Sequence, residues 1–548
     1  VVAADAGTGE YLWMHRLDEG ERGAATPRRL SGRGLAYRDD GGAGQIIYVT
    51  PGYRMIALDA LTGLRVASFG TDGIVDLMQN MDQEIDPIAG EIGLHAAPLV
   101  AGDTIIIGAA HVPGSAPRSM RNTKGYVRGF DADSGERKWI FHTIPGGDEY
   151  GNDTWLNESW RYTGNTGVWG QISVDLELGI VYLPTEMPTN DYYGGHRHGD
   201  NLFSDSIVAV DLESGERLWH FQAIHHDVWD WDFPCAPVLV DVEIEGRPGI
   251  TKVIAQPSKQ SWLYVLDRET GEPIWPIEER PVPQGNVPGE WYSPTQPFPT
   301  KPPPFDRQGI SIDDVIDFTP ELRTEALEII NSRARFGPIF SPPVLRGDEK
   351  PYIQVPGAGG GANWQGSAVD VETGQLFVSS SSTVIVVEVI EYPAPATIGY
   401  FTDPWGVGLS GPQGLPLFKP PYKRVTSLDL TTGNLAWMEP HGDGPRNHPA
   451  LAALNLPPLG GGGGISSGPL VTPTLLIMNH GGRDYDDIAA SSRTISAYDK
   501  STGNHLGALD LPGVPGGNPV TYLHNGKQYL VVALGSGDSA ELLALTLP

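Results

Sequence analysis

The sequence predicts an all-β fold, an eight-bladed β-propeller of four-stranded antiparallel blades with a small helical insertion, and three observations carry that prediction. A turn motif of Asp, two variable residues, Thr or Ser, then Gly recurs eight times, beginning at Asp5, Asp59, Asp131, Asp211, Asp267, Asp370, Asp429 and Asp499. Most copies follow an alternating apolar run such as Ser206-Ile207-Val208-Ala209-Val210, and five carry a tryptophan four residues after the glycine: Trp13, Trp139, Trp219, Trp275 and Trp437. The copies begin roughly 55 to 100 residues apart, which suits a four-stranded sheet with its loops.

Each unit reads as a hairpin. The aspartate folds its carboxylate back onto nearby amides, the glycine supplies the positive φ that the loop needs, and the tryptophan packs between neighbouring sheets. With 70 glycines, 48 prolines and few helix-periodic stretches, short strands are favoured over helices. The array spans residues 1–548 as a single domain, interrupted by a loop and helix insertion at 281–335. Residues 281–304 read as too irregular for a strand. Thr319-Pro320-Glu321 then predicts a helix start, with Leu322, Ala326, Leu327 and Ile330 as its apolar stripe. The glycine run at 460–464 reads as a surface loop, since no lysine or helix follows it in the P-loop manner. The chain opens at Val1 inside the first strand of a hairpin, so N-terminal residues are expected to be missing.

A formal charge of −30 argues against nucleic acid and anionic membranes as partners, and no apolar segment is long enough to span a membrane. Cys235, the only cysteine, excludes an intrachain disulfide and a Cys-x-x-Cys-His haem site; it reads as a small core residue.

Chemistry concentrates in His225-His226-Asp227-Val228-Trp229-Asp230-Trp231-Asp232. Three carboxylates and two imidazoles crowded together need a cation or hydrogen-bond donors to offset their repulsion. A hard-metal site, a general base beside a cation, and a hydrogen-bonded structural turn all fit this pattern. Trp169, flanked by Gly167 and Gly170, reads either as a core residue or as a stacking floor. Lys259, after the predicted buried strand 253–255, reads either as surface or as a cation aimed at the central cavity.

These residues, with Val181-Tyr182-Leu183-Pro184, Pro281-Val282-Pro283-Gln284-Gly285, Pro294-Thr295-Gln296-Pro297 and Asn525-Gly526-Lys527-Gln528-Tyr529, resemble the quinoprotein alcohol and sugar dehydrogenases that use pyrroloquinoline quinone (PQQ). The resemblance runs over essentially the whole chain and is closest to the glucose and quinate dehydrogenase branch. It implies that Asp230 is the catalytic base, that Trp169 lies beneath the quinone plane, and that Lys259 hydrogen-bonds the quinone oxygens. Arg33 matches the arginine that pairs with a PQQ carboxylate, a role suited to a planar guanidinium. His95, His111, Asn363 and Trp364 fall in matching cavity segments. The implied reaction is alcohol oxidation by hydride transfer to PQQ, assisted by a metal.

Two departures from the family pattern stand out. Pro27 and Arg28 occupy the places of two adjacent cysteines found in many relatives. The usual metal-binding glutamate falls within 109–113, which holds no carboxylate, and the usual asparagine ligand aligns with Met187, whose thioether suits a hard cation poorly. The implied metal shell is therefore either rebuilt, with Glu186, Asp230 and Asp232 as candidate ligands, or the metal is held differently; Glu186 needs a bulge or register shift to turn inward. Calcium is the expected ion, with a lanthanide or magnesium as alternatives. The roofing loops, 281–304, 393–420 and 460–467, suit a cyclic or bulky secondary alcohol as well as a sugar or polyol. The resemblance also implies a soluble cytochrome c or quinone as electron acceptor and a periplasmic or secreted location. Competing readings are a non-catalytic scaffold of the outer-membrane assembly type and a propeller hydrolase or lyase working without a quinone.

Overall fold

The computed structural model describes residues 1–28, 34–114, 116–402, 407–461, 467–480, 493–535 and 539–547. Arg33 and most of the glycine run therefore lie outside the described residues. The chain divides into two compact units. The first comprises Val1–Pro237, Pro288–Ser293 and Glu391–Pro404, and the second Val238–Val287, Pro294–Ile390 and Trp405–Pro548.

The fold is all-β. In the first unit, the hairpin Val2–Ala4 and Tyr11–Met14 precedes three four-stranded antiparallel sheets. These are Ala36–Arg38, Gln45–Val49, Arg54–Asp59 and Ile74–Asp76; Leu99–Ala101, Thr104–Ile107, Val127–Asp131 and Arg137–Phe141; and Ser173–Asp175, Ile180–Pro184, Ser206–Asp211 and Arg217–Gln222. In the second unit, Val238–Glu243, Ile250–Pro257 and Leu263–Asp267 form a three-stranded sheet. Two four-stranded sheets follow, Ser367–Asp370, Gln375–Ser381, Lys423–Asp429 and Asn434–Pro440, then Leu470–Val471, Leu475–Asn479, Thr494–Asp499 and His505–Asp510. A three-stranded sheet, Val520–His524, Lys527–Leu534 and Glu541–Thr546, ends the chain.

The repeated turns hold these sheets in shape. At Asp211, Oδ1 accepts hydrogen bonds from the amides of Glu213 and Ser214 and from the Ser214 hydroxyl, while Gly215 N donates to the Asp211 carbonyl at 2.9 Å. The closing glycine has φ +70°, which any side chain would make costly. Asp59 and Asp499 repeat the pattern. The motif count is nevertheless not a sheet count, because Asp370 and Asp429 both belong to the sheet Ser367–Pro440 and the C-terminal sheet carries none. An Asp-headed turn serves a first hairpin as well as a last one.

The tryptophans bridge consecutive sheets. Indole nitrogens of Trp13, Trp139 and Trp437 donate to the carbonyls of Ala60, Leu212 and Lys500, each the residue just after the aspartate of the next turn. The rings lie flat on the turn glycine: a Cβ at Gly63, Gly215 or Gly503 would come within 2.4, 2.6 or 2.6 Å of the indole, and one at Gly433 within 2.8 Å of Trp275. The core sits between such faces. Trp139, Val181, Leu183, Phe203 and Val208 fill one seam, and Phe377, Val425, Leu476, Met478 and Tyr498 another. Cys235 is buried and unbridged.

The insertion contains the expected helix, Pro320–Arg333, with the Thr319 side chain accepting from Leu322 N and with Leu322, Ala326 and Ile330 buried. The stretch read as too irregular for a strand contains one: Thr295–Pro299 pairs antiparallel with Ile277–Pro281. Pro297 and Pro299 lack an N–H, which confines the segment to a two-stranded ribbon, where only one edge must bond.

Candidate active site

In the first unit the loop after Arg217–Gln222 is shaped by one buried carboxylate. Asp227 Oδ1 accepts from Trp229 N at 2.6 Å and Oδ2 from Trp231 N at 2.8 Å, so one side chain holds two buried amides. Trp229 and Trp231 stack with centroids 5.7 Å apart. Between them Asp230 adopts φ +61°, a left-handed conformation that costs a non-glycine residue about 1–2 kcal/mol. Asp230 is half-buried, whereas its neighbours on either side are buried.

Trp169 is fastened to this loop, its Nε1 donating to Asp232 Oδ2 at 2.5 Å. Gly167 and Gly170 let its strand-like segment lie close to its neighbours: a Cβ at Gly167 would meet the Ala109 carbonyl at 2.6 Å, and one at Gly170 the Pro234 carbonyl at 2.5 Å. Trp169 itself is half-buried. The Trp169 segment and the carboxylate loop are thus one assembly, in which a half-buried indole is bonded to the buried Asp232, two residues beyond the half-buried Asp230.

Glu186 turns inward without a bulge. The strand Ile180–Pro184 ends before it, so strand alternation no longer governs its direction. Its amide donates to the Gly167 carbonyl at 2.8 Å, and its Oε1 accepts from Gly167 N at 3.1 Å and from His111 Nδ1 at 2.9 Å. Among the described residues, no group of three or more His, Cys, Asp or Glu side chains is placed to hold a metal ion. Met187 is buried.

Several members of the site carry no motif signal. Arg197, fully buried, donates to the carbonyls of Thr189, Asn190 and Asp227 and to Asn201 Oδ1. Glu290, from the short segment Pro288–Ser293, accepts from His226 Nε2 at 2.9 Å and from Gly194 N at 2.6 Å, fixing the start of the loop. Burial, then the charges of Asp230, Asp191, Asp227 and Asp232, hold the Tyr192 phenol well above its ordinary value. Burial also pushes Asp227 up to about 6 despite its two amide donors, and raises Asp205 well above the usual carboxylate range. Arg28 Nε donates to the His111 carbonyl at 2.8 Å. His95 is half-buried, and a Cβ at Gly34 would touch Ala97 at 2.8 Å, placing the segment just after Arg33 near the His95 turn.

In the second unit Lys259 is buried in the turn after Ile250–Pro257, which runs past the predicted strand end. Gly361 N donates to its carbonyl at 3.0 Å, and a Cβ at Gly360 would strike its side chain at 2.5 Å. Asn363 closes the same glycine loop, donating to the Gly359 carbonyl at 2.9 Å and accepting from Trp364 N at 2.7 Å. Trp364 is exposed. The structure therefore packs Lys259 against the glycine-rich loop that carries Asn363 and Trp364.

Comparison with known proteins supplies the family of this sheet array. The family model described as PQQ: glucose/ethanol/alcohol dehydrogenase, β-propeller domain, matches residues 1–530. The chain belongs to that family of quinoprotein dehydrogenases. It is 29% identical over 576 residues to the glycerol dehydrogenase large subunit of Gluconobacter oxydans (strain 621H), covering 98% of this chain and 73% of that protein. It is 29% identical over 516 residues to the quinoprotein glucose dehydrogenase of Escherichia coli (strain K12), covering 89% of this chain and 60% of that protein. The fold matches the crystal structure of quinohemoprotein alcohol dehydrogenase from Comamonas testosteroni with a TM-score of 0.65 at 21% identity, over 97% of this chain and 67% of that one. The fold is a β-propeller, and the scaffold reading is not favoured. Among the described residues, no helix is long and apolar enough to cross a membrane.

Proposed function

We propose that the chain oxidises a cyclic or bulky secondary alcohol, or a sugar or polyol, to the corresponding carbonyl compound, passing two electrons to PQQ and from there to a soluble cytochrome c or a quinone. The observation that carries the proposal is the 2.5 Å bond from Trp169 to Asp232, which ties an aromatic floor to the loop presenting Asp230. PQQ, when bound, supplies the electrophilic quinone carbon that takes the hydride from the carbinol carbon. Asp230 takes the hydroxyl proton, so that the C–O bond gains its second bond as the C–H bond breaks. Trp169 supports the ring plane. Lys259, Asn363, Trp364, Arg33 and His95 are proposed cofactor contacts on the strength of the family resemblance. The seven sheets that carry the turn motif, with the C-terminal one, support eight blades, and family membership supports a periplasmic location.

The test is reconstitution with PQQ, followed by dye-linked oxidation of a panel of secondary alcohols, sugars and polyols without NAD. Wild type should turn over at least one of them, and Asp230→Asn should lose about 10²–10⁴-fold in kcat while still binding PQQ, the range expected for a lost general base. Full activity in the PQQ-loaded Asp230→Asn protein refutes the assignment of the base.

A further inference from the structure

The second unit holds a cavity of about 440 Å³, within the range of pockets that enclose small organic ligands. Val384 and Ile385 line it from the stretch after the strand Gln375–Ser381, and Leu409, Leu415, Leu417 and Phe418 line it from the 393–420 loop. The insertion holds that loop in place. Leu415, Leu417 and Phe418 share the apolar cluster that buries Leu322, Ala326 and Ile330 of the helix, and Ile316 N donates to the Leu417 carbonyl at 3.1 Å.

Three polar side chains of the lining are engaged within the protein. Arg307 Nε pairs with Asp314 Oδ1 at 3.3 Å, and its Nη1 donates to the Lys419 carbonyl at 3.0 Å. Ser382 Oγ donates to Asp306 Oδ1 at 2.6 Å and accepts from Arg424 Nη2 at 2.5 Å. Thr383 Oγ1 accepts from Gly357 N at 3.1 Å. A polyol seated here would turn hydroxyls towards aliphatic and aromatic side chains, and each hydroxyl left unmet weakens binding by about tenfold. A hydrocarbon gains affinity from the area it covers.

The same stretch backs the glycine loop that packs on Lys259. Gly357 N donates to the Thr383 carbonyl at 2.9 Å, Ser381 N donates to the Gly361 carbonyl at 3.2 Å, and Gly361 N donates in turn to the Lys259 carbonyl. A Cβ at Gly357 would come within 3.1 Å of Ile385 Cγ2, so the loop lies directly against the cavity wall. We propose that this cavity seats the hydrocarbon body of the substrate, which makes the substrate an uncharged, mostly hydrocarbon cyclic alcohol and not a sugar or polyol; this rests on the alcohol oxidation proposed above. Leu409, half-buried on the cavity wall, is then a residue that sets specificity.

The PQQ-loaded protein is offered menthol, glycerol and glucose with a dye as acceptor, and menthone is titrated calorimetrically into the protein without PQQ. Wild type is expected to favour menthol over glycerol and glucose by at least ~100-fold in kcat/KM and to bind menthone. Leu409→Asp should lower kcat/KM for menthol about 10–200-fold, with the loss falling on KM, and weaken menthone by the same factor, whereas Leu409→Met should keep both within about threefold. Wild-type protein that favours glycerol or glucose overturns the substrate class, whether or not the variants fold, and leaves alcohol oxidation standing. Menthol turnover that a folded Leu409→Asp protein retains in full overturns the cavity as its seat. Menthone binding without oxidation of any alcohol by the PQQ-loaded protein removes the oxidation itself, and the substrate role of the cavity with it.

Discussion

Asp211 and Asp227 belong to the same unit and do the same local work, each accepting hydrogen bonds from backbone amides just downstream, yet their acidities move in opposite directions. The amide and hydroxyl of Ser214 hold Asp211 below the usual carboxylate range, whereas burial lifts Asp227 to about 6. Access to water, more than the number of donors, sets the sign. The two turns also end differently. The repeat turn closes on Gly215 at φ +70°, and the site loop places Asp230, a non-glycine, at φ +61°. A structural turn uses glycine to avoid strain, and the site loop accepts strain to present a carboxylate.

The contrast is most easily broken at Asp227. Asp227→Ala strands the buried amides of Trp229 and Trp231 and should cost about 3–5 kcal/mol in urea unfolding, with turnover lost as Asp230 loses its support. Asp211→Ala should cost much less, because water reaches the amides it frees; equal losses for the two would erase the distinction. Glu290→Gln places an amide group against donors and should cost about 2–3 kcal/mol, together with a raised KM or lowered kcat from the loosened His226 end of the loop. Gly215→Ala meets both a left-handed backbone and the Trp139 ring at 2.6 Å, and should cost about 1–2 kcal/mol with no change in kcat.

The smallest effect is on pH dependence. His196 is lowered to about 3 and His220 to about 4, both chiefly by burial, so the unfolded chain takes up protons on these groups first. Their contribution to stability is complete above about pH 6.5 and is lost as the pH falls towards 4. Asp227 acts in the opposite sense. Raised to about 6, it binds its proton earlier in the folded state and favours folding as the pH falls from about 6 towards 4. Thermal melts should therefore show a decline in Tm from pH 6.5 to 4 that becomes steeper in Asp227→Asn. A shallower decline in that variant contradicts the raised acidity assigned to Asp227.

The parts of the fold that were legible in the sequence are those built from contiguous residues. The Asp-x-x-Thr/Ser-Gly turns, the tryptophans beyond them and the Thr319-capped helix each carry their geometry within a few positions. Thr295–Pro299 was hidden because its prolines suppress the strand signal and its partner lies across a long loop. Of the proposed site, Asp230 and Trp169 show in the sequence as part of a carboxylate cluster and as a glycine-flanked ring. Arg197, Tyr192 and Glu290 do not, because their roles arise only when distant loops converge. Glu186 turns inward because the strand ends at Pro184, so no bulge is required, and that strand end is not marked in the sequence. The Gly194-Gly195-His196-Arg197 run, a charge amid glycines just before a hairpin, was the one available signal for the buried guanidinium.

The indole-to-carbonyl bonds between consecutive sheets have a consequence for how such a chain can vary. The donor lies in a strand four residues past one turn's glycine and the acceptor just after the next turn's aspartate, while the rest of the polypeptide joining them takes no part in the stitch. Inserted segments, such as the Pro320–Arg333 helix, can therefore lengthen freely between fixed anchor points. Rims that meet different substrates can be exchanged on a framework whose lacing stays the same.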